Sequence, residues 1–576
     1  MTADDIRLRI LETVSRNGGH LASSLGAVEI AMALADVFDP EKDRIVWDVG
    51  HQAYAWKILT GRGDRFGTLR TLGGVAPFPN PAESPADAAV AGHAGVAISV
   101  AEGLAAACGR RGGDEHVVAV VGDAALANGT SFEAINNCAA ACAKVIVVLN
   151  DNEMSISRPT GSLAKLLGRL IANVRYNRVK AAAENAGHRL KLTFLRGAYH
   201  RIESRIKGLF LGNRFFEQFG LRYIGPVDGH DLAALKSAFT VAKEDKRSVL
   251  VHVVTKKGRG FGPAERNPTA WHGVGPFAYP AHDATPPSAR SRSWSDAFGE
   301  ILAGLARSDP RIVALTAGMR DGTGLAPFAA EFPSRTFDVG IAEGHLLAFA
   351  AGLASGGSRP VVAVYSTFLQ RAVDQVMHDV CIPGLPVVIC VDRAGIVGAD
   401  GVTHQGLYDY AMLKSLPNLT IVQPKDEDDL RALLGEALNR NGPTVIRYPR
   451  GPVPRSVSVR SGSPDAKLAI WATGDQVAKA NAVAERVGAD VTFARFLKPF
   501  DVETLGRQRK AGLRIVSIEN GAVCGGFGET IGADLRFGWP DEFIPHGPPA
   551  DLERRYGLDV DSIVSTIERQ TSNVKH

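Results

Sequence analysis

The chain has 576 residues, 45% of them apolar and 22% charged, with a formal net charge of +4. At about 150 residues per domain that length predicts several domains, each with a sizeable core. A surplus this small excludes the clustered Lys/Arg footprint of a nucleic-acid-binding protein and points to small-molecule substrates.

In chain order, the opening MTADDIRLRILETVSRNGGH places acidic residues before its first basic one and has no apolar core with a cleavage site. No secretory signal is expected. Apolar stretches such as LLAFAAGLA (346–354) are too short for the roughly 20 residues that cross a bilayer, so no membrane partner is expected. Of six cysteines only Cys138 and Cys142 lie close together, one helical turn apart and without a neighbouring ligand pair. Buried, reduced thiols and a cytoplasmic location are the expectation.

Short β-rich runs alternate with helical patterns: HVVAVVG (116–122), KVIVVLN (144–150), VLVHVVT (249–255), RPVVAVY (359–365), LPVVICVD (385–392), TIVQP (420–424), KLAIWAT (467–473) and LRIVSIE (513–519). Val and Ile unbroken by polar residues read as strands buried on both faces, hence parallel sheets covered by helices. Pro, Ser, Gly and Arg mark candidate linkers at 278–294 and 448–466. An α/β protein of three domains follows, 1–280, 293–450 and 467–576, each with a mostly parallel sheet flanked by helices. The segment 158–217 is markedly basic, from Arg158 and Lys165 to Lys207 and Arg214. It reads as a solvated helical excursion or as a cover near an anionic substrate.

In VVGDAALANG (120–129) a strand closes at Gly122–Asp123 and a helix is expected over about 129–142; in VIVVLNDNEMSIS (145–157) the next strand closes at Asn150–Asn152. Ligands of open α/β sheets bind outside the carboxyl ends of strands, so Asp123 and Asn152 would face one crevice. They offer the hard oxygen ligands that magnesium takes alongside phosphate. An aspartate at a strand end is also ordinary, so the pair alone leaves both readings open.

Gly-Asp, about 28 residues, then Asn-Asp-Asn resembles the thiamine-diphosphate motif of the transketolase superfamily. With it stand GGHLASSLGAVEIAMAL (18–34), IVWDVGHQAYAWKILTGR (45–62), YIGPVDGHD (223–231), TKKGRGFGPAE (255–265), GIAEGHLLAFAAGLA (340–354), VYSTFLQRAVDQVMHDV (364–380), DRAGIVGADGVTHQG (392–406) and RYPRG (447–451). In this order they resemble the 1-deoxy-D-xylulose 5-phosphate synthase family over almost the full chain. The resemblance implies a transketolase-like fold, a homodimer, and a transferase that joins pyruvate to D-glyceraldehyde 3-phosphate with loss of carbon dioxide. Its product is a precursor of isoprenoids, thiamine and pyridoxal.

Decarboxylating pyruvate requires an electron sink that side chains do not offer and thiamine diphosphate does. The resemblance assigns Asp123, Asn152 and the Met154 carbonyl to Mg2+, and places Ala124 and Ala125 against the diphosphate. It assigns Glu343 to the aminopyrimidine; without the flanking motif this carboxylate would read as a helix first-turn charge. Phe368 resembles the aromatic that stacks on the pyrimidine. His51, Gly92, His93, Ala94 and Phe261 are implied cofactor contacts, and His20, His272 and His404 line the substrate region. Histidines in Gly-rich turns suit proton transfer near neutrality, with the share of each left open. Tyr365, Arg393 and Arg450 match the phosphate-binding set, since guanidinium groups hold phosphate oxygens bidentately; Arg371 and Asp400 support cofactor and acceptor.

Four motifs depart from the family pattern, at six positions. Ala124 replaces the glycine after Gly-Asp, GHAGV (92–96) replaces GHSST, Phe261 replaces a tyrosine, and Gly344 replaces a glutamine. A methyl at 124 would be strained by roughly 1–3 kcal/mol if the backbone there needed positive φ. Besides the synthase reading, these changes keep two others in view: a thiamine-diphosphate carboligase with another acceptor aldehyde, and a weakly active paralogue with a binding role.

Overall fold

The computed structural model describes residues 1–138, 143–152, 211–280, 291–462 and 466–572. Met154, Cys142, most of the basic segment 158–217 and the centre of the first expected linker lie outside them. The chain divides into two compact units, one of residues 1–69 and 74–287, the other of residues 70–73 and 288–576.

The first unit is built on five parallel strands in the order Arg44–Trp47, Val117–Gly122, Ile146–Asp151, Val249–Val254 and Arg222–Asp228. The Val-rich central strands are buried along almost their whole length, as unbroken apolar runs require. Leu232–Glu244 shows how helices cover them. Asp231 caps it by accepting the Ala234 N–H at 3.0 Å, and Leu235, Ala238, Phe239 and Ala242 line its buried face at helical spacing. Arg44–Trp47 and Arg222–Asp228 escape the sequence reading because they are short or broken by polar residues and glycine; only their neighbours make them strands. Gly19–His20 and Gly273–Val274 form a separate antiparallel pair.

The second unit contains two sheets, and Phe496–Lys498, from the expected 467–576 domain, lies at the edge of the first. Seven strands run Phe496–Lys498, Thr420–Val422, Thr444–Arg447, Val388–Asp392, Arg359–Tyr365, Ile312–Thr316 and Thr336–Asp338. All pairings are parallel except that of Phe496–Lys498 with Thr420–Val422. Four further parallel strands run Asp490–Ala494, Leu468–Thr473, Arg514–Ala522 and Leu535–Trp539. Residues 448–462, expected as a linker, are anchored: Tyr448 is fully buried, Trp294 and Val453 donate backbone N–H groups to Gly451 and Arg292, and Glu427 donates to Pro454. Prolines and glycines here shape a packed connection rather than a loose one. Among the described cysteines, Cys108, Cys138, Cys381 and Cys390 are buried as expected, while Cys524 is exposed.

Candidate active site

The first unit's polar residues sit where sheet topology concentrates them. Asp48, Asp123 and Asn152 each directly follow one of three adjacent parallel strands, and Lys257 lies three residues beyond the fourth, Val249–Val254. Such carboxyl ends form the ligand crevice of an open α/β sheet. Asp123 begins the short helix Asp123–Leu126 and is buried. Burial and the neighbouring Asp151 raise its carboxyl to about 7, against the pull of the Ala124 N–H and Lys257. Burial likewise lowers the Lys257 ammonium to about 8, with Asp123 opposing. A second carboxylate beside a buried one is relieved by a cation, so the oxygen donors Asp123 and Asn152 fit a hard divalent metal. The strand ends behind them are fixed by hydrogen bonds. Asn150 donates its amide to Gln52 Oε1 at 2.7 Å and accepts the Thr255 hydroxyl at 2.6 Å. His252 Nε2 lies 2.9 Å from Asp151 Oδ2, and the Tyr223 hydroxyl 2.7 Å from His252 Nδ1.

Ala124 lies within that helix, and among the described residues the non-glycine positions of positive φ are Val49, Arg70, Arg393 and Asn418. The anticipated strain is therefore absent, because the backbone after Asp123 is helical and an alanine is at ease in it. Ala125 is buried one residue further on.

Three expected histidines from distant segments meet. His20 and His51 have ring centroids 6.2 Å apart, His20 and His272 5.6 Å, and His51 and His272 5.4 Å, with Phe78 5.4 Å from His20. Pairing of Gly19–His20 with Gly273–Val274 brings two of them together; the Ser24 hydroxyl, bonded to the His51 carbonyl at 2.9 Å, ties in the third. Desolvation, then the mutual proximity of these rings and Lys257, holds His51 and His272 well below the usual imidazole range. Both therefore favour the neutral form, and His51 Nδ1 is buried without a hydrogen-bond partner. Gly92, His93 and Ala94 lie in a loop pinned by Asp48, which accepts the Gly95 N–H at 2.9 Å and the Ala97 N–H at 3.1 Å. Phe261 is buried, its ring 5.1 Å from that of Trp271, the neighbour of His272, and 6.3 Å from Phe277 and Tyr279. Without a hydroxyl it gains most by burying its whole ring there.

In the second unit Glu343 opens the helix Glu343–Ser355, is 2% exposed, and takes an ion pair from Arg371 at 3.2 Å. Burial raises its carboxyl above the usual range, with Arg371 opposing. Phe368 lies 5.7 Å from Tyr365 and 5.6 Å from His404. Tyr365 ends strand Arg359–Tyr365, Arg393 follows the adjacent Val388–Asp392, and Arg450 follows the next, Thr444–Arg447. Strand order thus collects the three expected phosphate ligands. The Arg393 guanidinium stacks 3.8 Å above the Tyr365 ring, and a Cβ at Gly322 would collide with the Tyr365 hydroxyl. Asp400 bridges Arg450 at 3.6 Å and Arg70 at 2.8 Å.

Sequence reasoning missed Lys257, Asp151 and Arg70. The first stands inside a quoted motif just past a strand, a position that signals a crevice group. Arg70 carries no local signal; only folding brings its segment to Asp400.

Asp392, buried beneath Arg393, accepts the Ser295 hydroxyl at 2.7 Å through one oxygen while the other lacks a partner. Burial raises it to about 6. A carboxyl whose folded pKa exceeds its unfolded value near 4 binds its proton more tightly when folded, so stability falls as pH rises from about 4 to 6. Asp392→Asn should flatten that slope, as thermal midpoints of both proteins across the range will register; parallel curves would contradict it.

A family model described as 1-deoxy-D-xylulose-5-phosphate synthase matches residues 1–255, followed by the transketolase pyrimidine-binding domain over 290–455 and the transketolase C-terminal domain over 458–563. The 1-deoxy-D-xylulose-5-phosphate synthase of Desulforudis audaxviator is 46% identical over 99% of this chain and 94% of its own length. The chain belongs to the 1-deoxy-D-xylulose-5-phosphate synthase family. A second member of this synthase family, 1-deoxy-D-xylulose-5-phosphate synthase 1 of Geobacter metallireducens, is 44% identical over 98% of this chain and 95% of its own length. Among the described residues no helix is long and apolar enough to cross a membrane.

Proposed function

We propose that this protein condenses pyruvate with D-glyceraldehyde 3-phosphate, releasing carbon dioxide and forming 1-deoxy-D-xylulose 5-phosphate, as a cytoplasmic homodimer that uses thiamine diphosphate and Mg2+. The observation that carries the reading is the burial of Asp123 beside Asp151 at adjacent strand ends, in a chain of this family: an enclosure that a cation completes. Bound thiamine diphosphate supplies the electron sink for decarboxylation.

Asp123 and Asn152 hold the metal, with Met154 as the third ligand that the resemblance implies. Glu343, kept protonated more readily by burial, would hydrogen-bond the aminopyrimidine ring nitrogen of the bound cofactor. His51 and His272, held toward the neutral form, and His20 beside them would share the proton traffic at the reacting carbonyl. Arg393, Arg450 and Tyr365 take the acceptor's phosphate, while Asp400 fixes Arg450 against Arg70. These cationic groups favour a phosphorylated acceptor over other aldehydes.

Calorimetry with thiamine diphosphate and Mg2+ tests the reading at its base. Binding is expected; its absence would leave the paralogue with a binding role. Supplying pyruvate with a panel of phosphorylated and unphosphorylated aldehydes then separates this synthase from a carboligase of other specificity.

A further inference from the structure

Gly95 occupies a position that is held from every side. Its N–H is shared between both Asp48 oxygens at 2.9 Å, and its carbonyl lies 3.3 Å from the Ser131 hydroxyl, which donates at 2.8 Å to Ala125. Its φ is +88°. A Cβ built on it would lie 2.5 Å from Asn128 Cγ and 2.7 Å from Asn128 Cβ, distances that no van der Waals contact tolerates.

Asn128 cannot yield easily. It is 2% exposed and stands at the start of the helix Gly129–Cys138, where its Oδ1 accepts the Thr130 N–H at 3.1 Å and its carbonyl accepts the Phe132 N–H at 3.2 Å. This is helix capping, which fixes the side chain as well as the backbone. The volume that a side chain at 95 would need is filled by the side chain at 128.

We propose that Gly95 and Asn128 are a matched pair that sets the spacing between two loops, the GHAGV segment carrying His93 and the GDAALANG segment carrying Asp123. The proposal rests on the reading that these loops receive thiamine diphosphate. Gly95 and Asn128 are positioning residues: the missing side chain at one lets the capping side chain at the other seat both loops.

A double-mutant cycle tests it, with wild type, Gly95→Ala, Asn128→Gly and Gly95→Ala/Asn128→Gly. The readouts are thermal midpoint without cofactor and equilibrium titration with thiamine diphosphate and Mg2+. Gly95→Ala should lower the midpoint by several degrees and weaken cofactor binding by about tenfold or more. Asn128→Gly should change both slightly, since glycine replaces a capping residue at small cost. The double variant should recover the steric share of each loss, keeping only the penalty of an alanine at positive φ. Positive φ alone predicts a penalty indifferent to residue 128, so a double variant no better than Gly95→Ala overturns the pairing. Should Gly95→Ala not fold, folded protein from the double variant supports the pairing and its absence overturns it. Coupling in the midpoint without coupling in cofactor binding overturns the role of the pair toward the cofactor. If wild type binds no thiamine diphosphate, the functional reading itself fails, and the midpoint cycle alone decides the pairing.

Discussion

Glu343→Ala is expected to keep the second unit folded and to lower pyruvate decarboxylation by about a hundredfold to ten-thousandfold, the range that a positioned acid or base contributes. Folding should survive because the partner that Glu343 leaves behind, Arg371, has a side chain that is 20% exposed and can be rehydrated. Function should not survive, because Glu343 is the one carboxylate that opens the helix Glu343–Ser355, and burial favours its protonated form. Glu343→Asp, which keeps the chemistry but shortens the reach, should fall between the two. Carbon dioxide release and the thermal midpoint, measured on the same preparations, check this. A variant that turns over at more than a tenth of the wild-type rate would remove Glu343 from the mechanism.

Arg450→Ala should raise the KM for glyceraldehyde 3-phosphate by about tenfold to a hundredfold and leave that for pyruvate within about twofold. The magnitude is that of one charge-assisted hydrogen bond, about 1.5–3 kcal/mol. The selectivity follows from geometry. Arg450 is partly exposed and only loosely held by Asp400 at 3.6 Å, whereas Asp400 keeps the closer Arg70 at 2.8 Å. Loss of the Arg450 guanidinium therefore leaves no uncompensated buried charge, and the effect should appear at the phosphate. Equal changes in both constants would assign Arg450 a structural role.

The sequence makes some of this arrangement legible and hides the rest for identifiable reasons. Unbroken runs such as HVVAVVG and RPVVAVY announce central parallel strands, found at Val117–Gly122 and Arg359–Tyr365. Once those strands are placed, Asp123, Tyr365 and Arg393 fall at carboxyl ends without further information. Edge and short strands such as Thr336–Asp338 and Phe496–Lys498 carry too few residues to declare a period and depend on their neighbours. The histidine cluster is of the same kind: His20, His51 and His272 are each visible in glycine-rich turns, but their meeting needs the antiparallel pairing of Gly19–His20 with Gly273–Val274.

Backbone conformation is the other hidden quantity. Ala124 in the diphosphate motif reads as a strained substitution until the helix beginning at Asp123 is known, and Gly95 reads as a lost serine until Asn128 is found in the space beside it. Phe261, lacking the family's hydroxyl, packs its ring edge-on against Trp271. Arg70 is legible only in the fold, since nothing near it in the chain anticipates its pairing with Asp400.

Product identification tests the central claim most directly. The protein is incubated with thiamine diphosphate, Mg2+, pyruvate and D-glyceraldehyde 3-phosphate, and the products are separated and identified by mass and NMR. Carbon dioxide and 1-deoxy-D-xylulose 5-phosphate in equal amounts are the predicted result. Carbon dioxide without the five-carbon phosphate, or no consumption of pyruvate by protein saturated with cofactor, would contradict it.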